Sequence, residues 1–407
     1  MDTTGTKFDL RGKGLTLTSA ADIEPFLSQI TAPEKITEVH LSGNTLGPDA
    51  AAALGAILPS MTSLRVANFS DIFTRRLIDE IPIALKSLCD GLLHTSTLRE
   101  LDLSGNAFGE RVAPVLVPLL TTNRGIALLN LNNQGLGPAA GIILADALAR
   151  AATLSAEAGE PSNLQILICG RNRLEHSAEA WGRALAKHTH LRAVHMPQNG
   201  IKADGFGALV GGLKNATSLR HLNLQDNWGK STTGADGDGP EVDSWPLLAD
   251  ALAAWQKLAF LNVADCCLTP DAFRLIMERF EEGSHSDLAT LIVDNSDLDE
   301  EVYEQLKDIV SVNLPGLRTL SLALNEDLEC GHVEDIVQAL EKRGGEAILD
   351  DDIEGERWPL PTELEEPTPV AVVDEPVVST ETQAPAAVPS APEDELEEAL
   401  AKLSLGK

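Results

Sequence analysis

The sequence predicts an α/β solenoid, with a parallel sheet lining the inside of a curve and helices on the outside. The phrase Leu-x-x-Leu-x-Leu-x-x-Asn keeps returning, as in Leu98-Arg-Glu-Leu101-Asp-Leu103-Ser-Gly-Asn106. Units aligned on it begin near Phe8, Ile36, Leu64, Leu98, Ile126, Leu164, Leu191, Leu219, Leu258, Leu288 and Leu317. Most run about 27 to 30 residues, and each passes from an alternating apolar pair to an apolar run at helical spacing.

Each element follows from that pattern. The Leu-x-Leu pair puts both leucines on one face of a short strand. The Asn after the strand (Asn44, Asn106, Asn172, Asn199, Asn227, Asn325) has an amide able to satisfy free backbone groups of the turn. Gly47, Gly109 and Gly137 follow where the chain turns toward the helix. Ala50 to Leu58 is a clear helical run. No unit can bury its leucines except against its neighbours, so the units must stack. The period is the upper end of the leucine-rich repeat range, and about eleven repeats are expected over residues 1–345.

Composition narrows the partners. Hydrophobic content of 43% with only 4% aromatics suits an aliphatic repeat core. A net charge of −31 argues against nucleic acid, whose phosphates need a basic surface. The five cysteines, Cys89, Cys169, Cys266, Cys267 and Cys330, sit mostly inside repeats and read as reduced, buried thiols of an intracellular protein. No apolar signal core opens the chain, and no stretch looks like the roughly 18 apolar residues of a membrane helix, so a membrane is not an expected partner.

Beyond residue 345 the repeat phrase stops. Residues 346–407 hold 17 acidic and 3 basic side chains among Pro, Ala and Val, a composition expected to stay disordered. This acidic tail could attract a basic patch on a partner or only solvate the chain. Its end carries Leu396, Leu400, Leu403 and Leu405, whose spacing resembles a leucine-rich nuclear export signal; the alternative is an incidental amphipathic end.

Function in a solenoid sits where a repeat departs from its pattern. The third repeat, Leu64 to Pro82, has Ile72 at the usual Asn and extra residues before its helix. A longer loop is expected there, carrying Arg75 and Arg76 at an exposed rim or pairing them with Asp79 and Glu80. In the fifth repeat, counting from Leu131 makes Gln134 the structural residue and Asn133 the exposed one before it. The same exposed slot holds Asp71, Arg171, Gln198, Asp226, Asp265 and Asn295, a polar row along one rim. Strands about 4.8 Å apart put repeats three and five roughly 10 Å apart, so Arg76 and Asn133 are expected to meet one partner. An insertion at residues 229–240 lacks the glycine of a phosphate loop and the late glutamate of a calcium loop, and reads as a surface loop. No histidine lies in a metal-ligand cluster. His188 and His190 are expected to cover a helix end, and His40 and His195 to face the concave surface.

Ser70-Asp-Ile-Phe-Thr-Arg-Arg76 with Asp79-Glu-Ile-Pro82, Leu131-Asn-Asn133-Gln-Gly-Leu-Gly-Pro138, Cys169-Gly-Arg-Asn-Arg-Leu-Glu175, Gln198-Asn-Gly-Ile201 and Leu224-Gln-Asp-Asn227 resemble the Ran GTPase-activating protein family over residues 5–345. The resemblance implies a protein that is not itself a self-contained enzyme but stimulates GTP hydrolysis by Ran in trans, in nucleocytoplasmic transport. It implies no arginine finger. The loop arginine corresponds to Arg76 and orients the partner. Asn133 corresponds to the asparagine that holds the GTPase's own catalytic glutamine against the attacking water. Asp71, Arg75, Arg171, Gln198 and Asp226 would line the partner-binding rim. The chain would need no cofactor or metal of its own, GTP and Mg belonging to the GTPase. The implied partners are Ran bound to GTP, a Ran-binding protein and an export receptor, with the chain a monomer and its location cytoplasmic or perinuclear. The competing reading is a leucine-rich repeat scaffold or inhibitor, similar to ribonuclease inhibitor, with no GTPase-activating role; the small number of cysteines counts against it.

Overall fold

The computed structural model describes residues 5–231, 241–283, 285–350, 360–362 and 364. Twelve short strands form one sheet in chain order: β1 Lys7–Asp9, β2 Glu38–His40, β3 Val66–Asn68, β4 Glu100–Asp102, β5 Leu128–Asn130, β6 Ile166–Ile168, β7 Ala193–His195, β8 His221–Asn223, β9 Phe260–Asn262, β10 Thr290–Ile292, β11 Thr319–Ser321 and β12 Glu346–Ile348. Every neighbouring pair is parallel and in step, Leu129 lying opposite Leu101 and Leu167. The fold is a leucine-rich repeat solenoid.

Between successive strands run α1 Ala20–Leu27, α2 Pro48–Ile57, α3 Glu80–Leu92, α4 Ala113–Thr122, α5 Gly137–Glu157, α6 Ala178–Leu185, α7 Ala203–Leu213, α8 Trp245–Leu252, α9 Pro270–Glu282, α10 Glu300–Val312 and α11 Gly331–Glu341. The middle residue of each strand faces this layer, and Leu129, Leu167, Val194 and Leu222 are fully buried. The flanking residues therefore face the concave side. Where helices approach closely a glycine allows it: a Cβ on Gly182 of α6 would overlap the Ala208 carbonyl of α7.

The asparagine ladder runs through the turns. Asn106 donates from Nδ2 to the Leu103 and Phe69 carbonyls at 2.6 and 2.8 Å, while its Oδ1 accepts from the Ile72 N–H at 2.8 Å. Asn172, Asn199 and Asn227 repeat the arrangement. Each amide thus ties its own turn to the preceding repeat, and buried backbone groups are left satisfied.

Four expectations change. The sheet continues past residue 345: the Glu346 N–H donates to the Arg318 carbonyl at 2.7 Å, and β12 closes the edge of β11. An end strand needs chiefly backbone partners, so it carries no leucine phrase to mark it. Helix α5 has the length and apolarity of a membrane-crossing helix, but half of its apolar window is buried and it packs between α4 and α6. Cys89, Cys169 and Cys266 are buried, whereas Cys267 is exposed. The insertion is flanked by an antiparallel pair, Lys230–Ser231 with Val242–Asp243, and residues 232–240 lie outside the described residues. The tail's Leu396, Leu400, Leu403 and Leu405 also lie outside the described residues.

Candidate functional site

The residue before the asparagine slot of the turn, filled by Ile72 in the third repeat and Gln134 in the fifth, has a left-handed backbone. The angle φ is +46° at Asp71, +56° at Asn133, +55° at Arg171, +56° at Gln198 and +54° at Asp226. Repeats two and four meet the same demand with Gly43 and Gly105. The cause is a further parallel rung beyond the strands: Asp71 N–H donates to Ser104, Asn133 to Gly170, Arg171 to Pro197 and Gln198 to Gln225, at 2.8 to 2.9 Å. Left-handed backbone costs a non-glycine residue about 1–2 kcal/mol, less for Asn and Asp. Where the residue is not glycine, this backbone aims a side chain outward from the turn.

Asn133 is exposed, and among the described residues its amide has no hydrogen-bond partner. Its support is rigid. Gly170, whose carbonyl receives its N–H, lies so close to Asn132 and Pro197 that a Cβ would stand 2.7 Å from Asn132 Oδ1 and 2.8 Å from Pro197 Cδ. Gln134, one residue on, is fully buried; its Nε2 donates to the Leu103 carbonyl and its Oε1 accepts from the Asn106 N–H at 3.2 Å. Further along the rim Arg171 donates from Nε to Gln198 Oε1 at 2.6 Å, fixing both side chains, and Asp226 is exposed beside them.

The loop of the third repeat is anchored by apolar contacts. Ile72 takes the asparagine's place and is fully buried, and Phe73 packs on Phe108 with ring centroids 6.1 Å apart. Thr74 donates to Asp71 Oδ1 at 2.6 Å. Arg75 then stands exposed with φ of +68°. Arg76 leans back toward the first two repeats, donating from Nη2 to Thr18 Oγ1 at 3.0 Å and to the Thr45 carbonyl at 3.3 Å. Gly47 leaves room for it, since a Cβ there would lie 3.1 Å from Arg76 Nη1. Neither arginine takes the acidic neighbours: Asp79 pairs with Arg111 at 3.0 Å, and Glu80 accepts from the Leu77 N–H at 3.1 Å.

The structure therefore brings Asp71, Asn133, Arg171, Gln198 and Asp226 onto one rim, with Arg75 beside its early end. The Arg76 guanidinium points to repeats one and two rather than toward Asn133. Just past it stand three exposed apolar side chains, Leu77, Ile78 and Ile83, at 71%, 57% and 60% exposure. The first two fall inside the insertion, where no repeat position calls for a leucine or an isoleucine, and that mismatch was the available signal. On the concave side His195 and His221 are largely buried; burial chiefly, with Arg171 nearby, lowers His195 to about 4, and burial with His195 nearby lowers His221 to about 3. Both are neutral at pH 7. His188 is buried between Ser162 Oγ and the Leu148 carbonyl.

This is a leucine-rich repeat protein with a polar rim. A family profile described as Leucine Rich repeat matches residues 33–55 and 94–110. Ran GTPase-activating protein 1 of Saccharomyces cerevisiae is 33% identical over 342 residues, covering 82% of this chain and 81% of that protein. The chain belongs to the Ran GTPase-activating protein family. The Xenopus laevis Ran GTPase-activating protein 1 is 41% identical over 199 residues, 48% of this chain, and the Drosophila melanogaster Ran GTPase-activating protein is 35% identical over 212 residues, 51% of this chain. The matches span 34% and 36% of those longer relatives. A solved internalin from Listeria monocytogenes overlays on 86% of this chain and 87% of its own, at 16% identity and a TM-score of 0.43.

Proposed function

We propose that this protein stimulates GTP hydrolysis by the small GTPase Ran, acting in trans on the GTP-bound form and contributing to nucleocytoplasmic transport from the cytoplasm. The observation that carries this reading is Asn133: an exposed amide without a partner among the described residues, on left-handed backbone held by a sheet rung. A short amide on so stiff a support loses little freedom on binding. It can hold the partner's catalytic glutamine in the orientation that aligns the attacking water.

Arg76 serves this arrangement by bracing the loop against Thr18 and Thr45, which leaves Arg75 as the loop's exposed charge for orienting the partner. A guanidinium engaged within its own protein is poorly placed to neutralise a transferring phosphate, in keeping with a mechanism without an arginine finger. The exposed Leu77, Ile78 and Ile83 supply apolar contact beside it, and the Arg171–Gln198 pair and Asp226 extend the interface. GTP and Mg belong to the GTPase. A Ran-binding protein and an export receptor are further proposed partners, and the activator works as a monomer.

Phosphate release from GTP-loaded Ran with catalytic amounts of this protein tests the reading. We expect strong acceleration by the wild type and a large loss in Asn133→Ala. No acceleration by the wild type would leave the scaffold alternative. Acceleration that survives Asn133→Ala, Arg75→Ala and Arg76→Ala would keep the activity and reject the site.

A further inference from the structure

The concave face changes character at the fifth repeat. In β1 to β4 its side chains are mostly polar or charged, among them Asp9, Glu38, Asn68, Glu100 and Asp102. In β5 to β7 it carries Leu128, Ile166, Ile168 and Ala193, which form an apolar cluster separate from the core behind the sheet. On an open sheet these would stand in water. Instead they are 5%, 1%, 0% and 3% exposed, and Leu360 and Leu364 pack on them. These two leucines come from beyond the last strand, about 200 positions from the patch in sequence.

The reach is sufficient. From β12 to β6 is six strand steps, about 29 Å. The twelve residues from Ile348 to Leu360 extend to about 40 Å, so the chain can bring its own segment back across the sheet without strain. Charge also matches. Residues 350–366 hold eight acidic side chains and one arginine, while Arg192 and Arg220 immediately precede β7 and β8.

We infer that the patch of Leu128, Ile166, Ile168 and Ala193 is a docking site for an acidic, leucine-bearing segment, and that the chain occupies it with its own Leu360 and Leu364. The segment is a strap over the same repeats whose turns carry Asn133, Arg171 and Gln198. Asn133 lies three residues past the end of β5 and Gln198 three past the end of β7. A partner that engages the rim and extends onto the concave face must displace the strap. Tethering holds it at an effective concentration on the order of millimolar, so even a weak contact stays closed until a partner competes. The displacement, unlike the docking itself, rests on the activator reading above.

Two arms test this on the full chain. In the first, the strap is released by the double change Leu360→Asp and Leu364→Asp, and a fluorescent peptide of residues 356–368 is titrated in. The released variant should bind it at least tenfold more tightly than the wild type, whose site is filled, and adding Ala193→Glu to that variant should abolish binding. Equal binding to wild type and released variant, no binding to either, or binding unaffected by Ala193→Glu would overturn the docking site. In the second, the released variant should show a severalfold lower KM for GTP-loaded Ran with kcat unchanged, reversed by excess peptide. An active protein whose KM does not move would overturn the displacement. A wild type with no activity would refute the activator reading and leave the peptide arm to decide the docking.

Discussion

Asn133 and Gln134 are consecutive in the chain and serve opposite ends: the first is exposed, its amide unpartnered among the described residues, the second fully buried with its amide bonded to Leu103 and Asn106. Asn133→Ala is expected to lower stimulated GTP hydrolysis by about 100-fold, as loss of a positioning donor does, with stability within about 0.5 kcal/mol of wild type. Gln134→Ala leaves the buried Asn106 N–H without its acceptor and takes one of two donors from the Leu103 carbonyl, and should cost about 1–3 kcal/mol in urea unfolding. Reversal of the two effects would show that the register has been misassigned.

The two arginines of the third repeat should separate in the same way. Arg76→Ala removes the link to Thr18 and Thr45 and frees the loop, so it should raise KM and increase hydrogen exchange at residues 73–78. Arg75→Glu leaves the fold untouched and should raise KM by an amount that shrinks with added salt, the mark of a rim charge. If Arg75→Glu is silent while Arg76→Ala alone lowers kcat, Arg76 acts on the partner directly.

Stability should fall in mild acid. His188, His195 and His221 are held below their ordinary value of 6.5, chiefly by burial, to about 4, 4 and 3. Between pH 6.5 and 4 the unfolded chain takes up protons that these folded histidines refuse, so their contribution is complete above pH 6.5 and is lost as pH drops. Each unit of depression corresponds to about 1.4 kcal/mol. Urea midpoints measured from pH 7.5 to 4.5 should decline. His221→Phe, which preserves a ring against Phe260, should flatten the curve.

Helix spacing on the convex side depends on single hydrogens. Gly182→Val would drive its side chain into the Ala208 carbonyl and push α6 from α7, with an expected cost of about 1–3 kcal/mol by thermal or urea unfolding. The rim lies on the other side of the repeats, so kcat of the folded fraction should remain close to wild type.

Much of the fold was legible because it is local. Leu-x-Leu alternation places the strands, and the asparagine three residues beyond the second leucine marks a turn that needs its amide. That register also separates Gln134 from Asn133. The left-handed backbone of the rim was legible in principle, since Gly43 and Gly105 occupy the slot of Asn133 and Arg171.

The remaining decisions are made by groups distant in sequence. Arg76 is held by Thr18 and Thr45, 58 and 31 residues earlier, and no local pattern announces that contact. The final strand is specified by an open edge on β11, a property of the sheet rather than of Glu346–Ile348. Leu360 and Leu364 look like tail residues until the sheet presents an apolar surface within their reach. By itself the sequence determined the repeat and its register, because those arise from periodic burial and short-range backbone satisfaction. Only the tertiary structure decided which charges are committed and which surfaces are covered, because both depend on what the stacked repeats bring together.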